Sequence, residues 1–258
     1  MAIFTEVSEQ QASDLLTQLS LGELVSLEGI SSGIENTNYF LTTDQGEFVL
    51  TLFERLTREQ LPFYLHLMKH LAARSYEHQQ PNLRGLAWWN QTVPAILPFL
   101  SESQATTLQH ELAFQNHVQS SFAYTALPKG AVHADAFRNN VMFVDDQLSG
   151  VFDFYFAGVD SWLFDLGVCL NDWCIDLASG SFHTEHLTAM LQGYEEVRPL
   201  SGAERALFNP MLRAAALRFW ISRLWDFHLP REASLLQAHD PGHFERVLLE
   251  RLHNPVTL

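Results

Sequence analysis

Hydrophobic and polar positions divide the chain into a strand-rich beginning and a longer helical part. Ser8 is a capping residue for a helix predicted at 9–19, where leucines recur at helical spacing. Three runs rich in apolar and β-branched residues then predict strands at 24–30, 38–42 and 47–54. A hairpin turn signal, Asp44-Gln-Gly46, joins the last two strands.

Helical periodicity accounts for most of the remaining chain. Helices are predicted at 58–74, 86–99, 105–120, 161–177, 183–197 and 203–229, and the stretch 240–252 ends the fold. The polar, proline-containing stretch 75–84 is the best candidate boundary between two lobes. We therefore expect an α+β fold with an N-terminal lobe at 1–80, which holds a small antiparallel sheet and one long helix, and a mainly helical C-terminal lobe at 81–258.

Composition and charge limit the partners. Apolar residues make up 47% of the 258 residues, and 30 acidic against 15 basic residues give a net charge of −15. This acidic balance argues against nucleic acid and anionic membranes as partners. An anionic nucleotide remains possible because bound Mg²⁺ can supply local positive charge. The sequence leaves the oligomeric state open.

The sequence offers no targeting or redox signal. Cys169 and Cys174 lie in an apolar helical stretch, at a spacing that suits neither a zinc site nor a redox pair. The first residues lack a basic region followed by an apolar run, and no stretch is long and apolar enough to span a bilayer. We expect a cytoplasmic protein with buried free thiols.

The most informative stretch is His133-Ala-Asp-Ala-Phe-Arg-Asn-Asn140, which is followed by a predicted hairpin. Because a hairpin folds back on itself, Asp153 at its end returns close to Asn140. Asp135 is then a carboxylate that can accept a proton, and Asn140 and Asp153 offer the oxygen ligands that suit Mg²⁺. The set matches the kinase pattern H-x-D-x-x-x-x-N with a later Asp, and so indicates phosphoryl transfer. The alternative is a polar loop in which Asp135 and Asn140 are turn residues.

A second polar stretch lies between the first two predicted strands. Loops of small residues between antiparallel strands can place backbone N–H groups over phosphates. The candidate phosphate contacts are Ser31, Ser32, Gly33, Asn36 and Asn38. Such loops also join strands without binding a ligand, so this stretch alone leaves both interpretations open.

Several stretches resemble the bacterial homoserine kinases of the choline- and aminoglycoside-kinase-like type. The stretches that carry the resemblance most clearly are 35–40, 46–54, 130–174 and 213–228. The likeness as a whole extends over nearly the whole chain. The resemblance implies a two-lobed protein-kinase-like fold. It also implies ATP-dependent phosphorylation of L-homoserine in threonine biosynthesis.

The resemblance assigns a role to each residue of the motif. Asp135 would orient the substrate hydroxyl and take its proton, and Asn140 and Asp153 would hold Mg²⁺ on the phosphates of ATP. The loop from Ser31 to Asn38 would cover those phosphates. Arg138 would either steady the transferring charge or pair with an acid on the surface.

Homoserine is a zwitterion, so its pocket needs one anionic and one cationic partner. We expect Asp172 to bind the ammonium group and Arg223 the carboxylate, with Asn171 as a further substrate contact. Arg223 is the weaker assignment, because an arginine on a long helix is more often solvated or paired. His133 and Asp165 are expected to brace the catalytic loop rather than to contact ligand.

One departure from the family is large. Between Arg74 and Gly85 the family normally carries several tens of residues more, which form the remaining N-lobe strands, the hinge that grips adenine, and the first C-lobe helix. Two alternatives to a homoserine kinase therefore stay open. One is a kinase of another small metabolite, such as choline, an aminoglycoside or methylthioribose. The other is a catalytically inactive kinase-like binding module.

Overall fold

A computed structural model of the chain describes residues 5–30, 36–54, 57, 80–229 and 239–258. These residues fall into two compact units. The first unit contains the described residues up to 57 together with His239, and the second contains 80–229 and 240–258. The expected lobe boundary at residue 80 adjoins a stretch outside the described residues and stays a prediction.

The first unit is a helix packed on a three-stranded antiparallel sheet. Its elements are α1 Glu9–Leu19, β1 Leu24–Gly29, β2 Thr37–Thr43 and β3 Gly46–Leu52. Helix α1 begins at a capping box, in which Ser8 and Gln11 exchange side-chain and backbone hydrogen bonds. The strand order is β1-β2-β3, and Ala12, Leu16 and Leu41 form the buried centre. All four predicted elements are confirmed, whereas the helix expected at 58–74 lies outside the described residues.

The second unit is mainly helical. Its helices are α2 Leu86–Ile96, α3 Glu102–Gln119, α4 Phe122–Thr125, α5 Trp162–Trp173, α6 Thr184–Val197, α7 Gly202–Ala206, α8 Phe208–His228 and α9 Gly242–His253. Its strands are β4 Lys129–Val132, β5 Val141–Val144, β6 Gln147–Val151 and β7 Gly158–Ser161, and single 3₁₀ turns lie at Leu97–Phe99, Arg138–Asn140 and Phe154–Phe156. The α+β class expected from the sequence is confirmed.

Helix α8 is the centre of this unit. It is buried on most of its circumference, and α5 and α9 pack against it. The α5–α8 approach is close at Gly167, where an added Cβ would lie 3.2 Å from the carbonyl oxygen of Met211. The single helix expected at 203–229 is in fact two, because the backbone leaves the helical conformation at Leu207, between α7 and α8.

Two short strand pairs hold the stretch 133–140 between them. Strand β4 pairs with β7, and β5 pairs with β6 in the predicted hairpin. The β4–β7 pair was not expected from the sequence, because each strand has only four residues and no clear alternation. Since β4 ends at Val132 and β5 begins at Val141, both ends of this stretch are fixed by backbone pairing. Within the described ranges, no helix is long and apolar enough to cross a membrane.

Candidate active site

The stretch 133–140 is held in place by a carboxylate from helix α5. Asp165 accepts two hydrogen bonds from successive backbone N–H groups, at 3.0 Å from His133 and 2.7 Å from Ala134. Ala134 is fully buried and has a left-handed backbone, with φ of 60°. On the other side, Nε2 of His133 lies 2.8 Å from the carbonyl oxygen of Phe152. The bracing roles expected for His133 and Asp165 are confirmed. The backbone just before Asp135 is thus held by helix α5 on one side and by the end of the hairpin on the other.

The hairpin brings its two ends together next to the loop that carries Asp135. The backbone N–H of Phe152 donates to the carbonyl oxygen of Asn140 at 3.0 Å, which places Asp153 beside the start of the hairpin. Nδ2 of Asn140 donates to the backbone carbonyl of Asp135 at 2.7 Å and lies 3.4 Å from its carboxylate. Asp153 has a left-handed backbone and an exposed side chain. The three residues singled out in the sequence are therefore neighbours.

Asp135 has an unusual electrostatic environment. Burial, together with the negative charge of Asp153, raises the pKa of Asp135 to about 7. Arg218, the hydrogen bond from Asn140, and Arg223 act in the opposite direction. A carboxylate with a pKa near 7 is suited to exchange protons at neutral pH.

The strongest of these opposing groups is Arg218 on α8. Its Nη1 lies 3.9 Å from Oδ1 of Asp135, and its side chain is only 2% exposed. The guanidinium carbon lies 4.4 Å from the ring centre of Phe156 and 3.7 Å from that of Phe219. The sequence analysis gave Arg218 no role. A signal was present, because an arginine inside an apolar helical run needs a buried counter-charge.

The oxygen atoms available near Asp135 suit a divalent cation only in part. Because Nδ2 of Asn140 is engaged with Asp135, its Oδ1 remains for a cation, and the carboxylate of Asp153 adds a charged oxygen. Within the residues that the structure describes, no group of three or more His, Cys, Asp and Glu side chains could hold a metal ion. Hard oxygen donors of this kind fit Mg²⁺ when nucleotide phosphates supply further ligands.

Arg138 forms an ion pair with Asp172. Asp172 accepts from the backbone N–H of Arg138 at 2.8 Å and from its Nε at 3.1 Å. Of the two roles considered for Arg138, the structure shows the pairing with an acid. The pair joins the 3₁₀ turn after Asp135 to the end of α5, so Asp172 lies close to the predicted base.

Arg223 lies in the same group of charges. Burial lowers its pKa to about 10, and Asp240, Asp172 and Asp135 oppose that shift. Its Nη1 donates to the carbonyl oxygen of Asp240 at 3.2 Å, and its guanidinium carbon lies 4.5 Å from the ring centre of Phe244. The structure thus brings a cation and an anion, Arg223 and Asp172, to the neighbourhood of Asp135.

Asn171 does not join this group. It is 1% exposed, its Nδ2 donates to the carbonyl oxygen of Leu212 at 2.8 Å, and its Oδ1 accepts from Nε of Arg251 at 3.1 Å. Both ends of the amide are used inside the helical core. The expected substrate contact of Asn171 is therefore corrected to a packing role, because the next position along a helix points in a different direction.

The residues predicted to cover the phosphates lie in the stretch 31–38. Ser31, Ser32 and Gly33 lie outside the described residues. Asn36 is buried, and its Oδ1 has no hydrogen-bond partner within the described ranges. Asn38 lies in β2, where its carbonyl oxygen accepts from Ile30 at 2.9 Å. Their role toward a nucleotide stays a prediction.

The sequence matches the phosphotransferase enzyme family, APH, at residues 26–87 and 76–200. The chain belongs to this family. The two matched stretches overlap at 76–87, and the second includes Asp135, Asn140 and Asp153. The family and the relatives described next identify a kinase that phosphorylates an alcohol, and ATP as the phosphoryl donor follows from the kinase family.

The curated relatives are similar along the whole chain. Homoserine kinase of Polaromonas naphthalenivorans (strain CJ2) is 51% identical over 316 aligned positions that cover all of both chains. Homoserine kinase of Janthinobacterium sp. (strain Marseille) is 46% identical, covering 98% of this chain and 96% of the relative. Because the first alignment has 316 positions and this chain has 258 residues, several tens of positions have no counterpart here.

Solved structures agree on the fold. Amicoumacin kinase hAmiN in complex with AMP-PNP, Ca²⁺ and Ami has a TM-score of 0.61 at 14% identity, over 96% of each chain. Choline kinase LicA from Streptococcus pneumoniae has a TM-score of 0.60 at 12% identity, over 95% of this chain and 99% of its own. The chain therefore has a kinase-like fold.

Proposed function

We propose that this kinase transfers the γ-phosphoryl group of ATP to the hydroxyl group of L-homoserine, forming O-phospho-L-homoserine for threonine biosynthesis in the cytoplasm. The relatives named homoserine kinase, at 44–51% identity, support this acceptor. The observation that carries the chemistry is the carboxylate of Asp135, which lies beside the amide of Asn140 and within the electrostatic influence of Asp153.

Asp135 is the proposed base. Its carboxylate would accept a hydrogen bond from the substrate hydroxyl and take the proton as the oxygen bonds to phosphorus. With a pKa of about 7, it is ionised in a large fraction of molecules at neutral pH and holds a proton well once it has accepted one. Asp165 and His133 keep the loop that carries it from turning away.

Asn140 and Asp153 are the proposed Mg²⁺ ligands. Bound Mg²⁺ would neutralise charge on the transferring phosphates. The protein contributes one amide oxygen and one carboxylate, so the nucleotide phosphates and water complete the shell. The loop residues Ser31, Ser32, Gly33, Asn36 and Asn38 are proposed to cover the same phosphates.

Asp172 and Arg223 are the proposed contacts for the charged ends of the amino acid. Asp172 would bind the ammonium group, and Arg223 would bind the carboxylate. Asp172 is already paired with Arg138, so an incoming ammonium group would share or replace that contact. The lowered pKa of Arg223 reflects a desolvated guanidinium, which gains from an anionic partner.

Coupled ADP release with homoserine, choline, an aminoglycoside and methylthioribose tests the proposal. We expect turnover with homoserine in the presence of Mg²⁺, its loss in a chelator, and at least a 100-fold loss in Asp135→Ala without loss of homoserine binding. Activity is also expected to fail in Asp153→Asn, because this variant would lose the charged ligand of Mg²⁺. Asp146→Ala, in the exposed turn of the same hairpin, is the matched control and should retain activity.

Two results would contradict the assignment. Faster turnover with another acceptor would replace homoserine, and unchanged turnover in Asp135→Ala would remove Asp135 as the base. Calorimetric titration with ATP and Mg²⁺ shows whether a preparation without turnover still binds the nucleotide. No detectable ATP affinity would favour an inactive kinase-like binding module. This step is informative because the alignment to the Polaromonas relative leaves positions without a counterpart in this chain.

A further inference from the structure

The last residue of helix α5 contacts the loop directly after Asp135. The indole N–H of Trp173 donates to the backbone carbonyl oxygen of Ala136 at 2.9 Å. An indole N–H can only donate, and Trp side chains that are removed from solvent usually find an acceptor for it. This hydrogen bond is separate from those that Asp165 and His133 make to the loop. It acts on the side of Asp135 that those two residues do not reach.

Helix α5 thus holds the main chain on both sides of Asp135. Asp165 accepts from the backbone N–H groups of His133 and Ala134, whereas Trp173 donates to the carbonyl that follows the base. The two helix residues are eight positions apart, which corresponds to about 12 Å along the axis. Helical side chains tilt toward the N-terminus of their helix, so the long indole reaches back toward the loop. One helix therefore fixes the backbone just before and just after the base.

The short span between these contacts has little freedom of its own. The carbonyl oxygen of Asp135 accepts from the backbone N–H of Phe137 at 2.8 Å and from Nδ2 of Asn140 at 2.7 Å. The ring of Phe137 packs against Phe219 and Phe244, with ring centres 4.3 and 5.7 Å away. Because the next carbonyl is bonded to helix α5, the peptide group that it belongs to cannot rotate without breaking that bond. The direction of the carboxylate depends on this restraint.

The indole ring also contacts the hairpin. Phe143 of β5 lies edge-on to Trp173, with ring centres 6.2 Å apart and an angle of 67° between the rings. Strand β5 follows Asn140, and the hairpin ends just before Asp153. Trp173 therefore touches both the loop that carries the proposed base and the hairpin that carries the proposed Mg²⁺ ligands. A displacement of about 1 Å between reacting groups can cost about 100-fold in rate.

We propose that Trp173 is a positioning residue for phosphoryl transfer, because its indole N–H holds the main chain directly after Asp135 as Asp165 holds it directly before. Trp173 does not contact the acceptor or the nucleotide in this role. It acts through the loop, so that the carboxylate stays directed at the acceptor hydroxyl. The inference rests on the proposed function of Asp135 as the base.

The first test is Trp173→Phe, which removes the N–H and keeps an aromatic ring. The rate constant of phosphoryl transfer, measured in a single turnover at saturating ATP and homoserine, should fall at least about fivefold. The KM values for ATP and homoserine should stay within about threefold of the parent, because neither ligand loses a contact. No charge is removed, so the pH profile should keep its midpoint while its plateau falls.

Trp89→Phe is the matched control. The indole N–H of Trp89 donates to the carbonyl oxygen of Arg84 at 2.5 Å, and the side chain is 1% exposed. Both substitutions remove an indole hydrogen bond to the main chain and reduce a packed side chain, so both should lower the melting temperature. Only Trp173→Phe should slow the transfer step.

A second variant separates the hydrogen bond from the shape of the ring. Benzothienylalanine at position 173 keeps the two-ring shape and has sulfur in place of the N–H, so it also serves if Trp173→Phe does not fold. Its transfer rate should fall at least about fivefold as well. A smaller loss in this variant, an equal loss in Trp89→Phe, or a shifted midpoint of the pH profile would overturn the proposal.

Asp135→Ala distinguishes this inference from the proposed function. If Asp135→Ala keeps full turnover, the assignment of the base fails and the role of Trp173 fails with it. If Asp135→Ala is inactive while the benzothienylalanine variant is as fast as the parent, the base stands and only the positioning role of Trp173 fails.

Discussion

Replacing Arg218 by Gln tests how the proposed base is tuned. The Nη1 of Arg218 lies 3.9 Å from Oδ1 of Asp135, and both side chains are largely buried. Two unit charges about 4 Å apart interact by about 4 kcal/mol at an effective dielectric constant of about 20, which corresponds to about three pKa units as an upper limit. Arg223 and Asn140 remain in the variant and still favour the ionised carboxylate. We therefore expect the pKa of Asp135 to rise by about two units.

The expected consequence is a rate that recovers with pH. With the pKa raised from about 7 to about 9, Asp135 is ionised in about 1% of the variant molecules at pH 7, against about half in the parent. The value of kcat/KM at pH 7 should fall about 50-fold and approach that of the parent within a few-fold near pH 10. The measurement is a pH profile of kcat/KM from pH 6 to 10 by coupled ADP release.

Two controls separate tuning from packing. Arg218→Lys keeps a positive charge near Asp135 and should move the profile less than Arg218→Gln does. Arg205→Gln removes a surface ion pair with Glu195 and should leave the profile unchanged. A loss of rate in Arg218→Gln that is equal at every pH would refute the reasoning, because Arg218 would then act only through packing. Titration of Asp135 by NMR gives the same test without turnover.

Two further predictions concern the stability of the catalytic loop. The pKa of Asp135 is about 7 in the folded protein and near 4 in the unfolded chain. The free energy of unfolding therefore falls as the pH rises from about 4 to about 7, because only the unfolded chain readily releases the proton in this range. Asp135→Asn should therefore be more stable than the parent by up to about 4 kcal/mol at pH 8, with a smaller difference near pH 5, and urea unfolding at both pH values that gave one constant difference would contradict this. Ala134 is buried with φ of 60°, so Ala134→Gly should leave stability within about 1 kcal/mol and Ala134→Val should lower it by more than about 2 kcal/mol; equal melting temperatures for these two variants would remove the conformational explanation.

The parts of the site that follow one another in sequence could be predicted. Asp135, Asn140 and Asp153 lie on one loop and one hairpin, and alternation, turn residues and motif spacing are all local signals. The contact between Asp135 and Arg218 could not be derived in this way, since it joins residues that are distant in sequence and depends on how α8 packs in the folded unit. The same holds for the four-residue strands β4 and β7, whose pairing depends on residues distant in sequence.

The directions of neighbouring side chains on a helix were a second feature that could not be predicted from the sequence. Asn171 and Asp172 are both polar and adjacent, and both were predicted from the sequence to contact the substrate. The structure directs Asn171 into the core toward Arg251 and Asp172 toward Arg138. A rotation of about 100° between successive helical residues separates such neighbours, and the periodicity of the surrounding apolar residues did not define the register sharply enough to show it.

The attachment of the base loop to Asp165 has a consequence for engineering. Because the carboxylate grips main-chain atoms of residues 133 and 134, the aim of the base does not depend on the exposed side chains that come later in the loop. Arg138 and Asn139 are exposed in the structure. Substitutions at Asn139 are therefore expected to leave the geometry of the chemical step intact, whereas Arg138 is also held by its ion pair with Asp172.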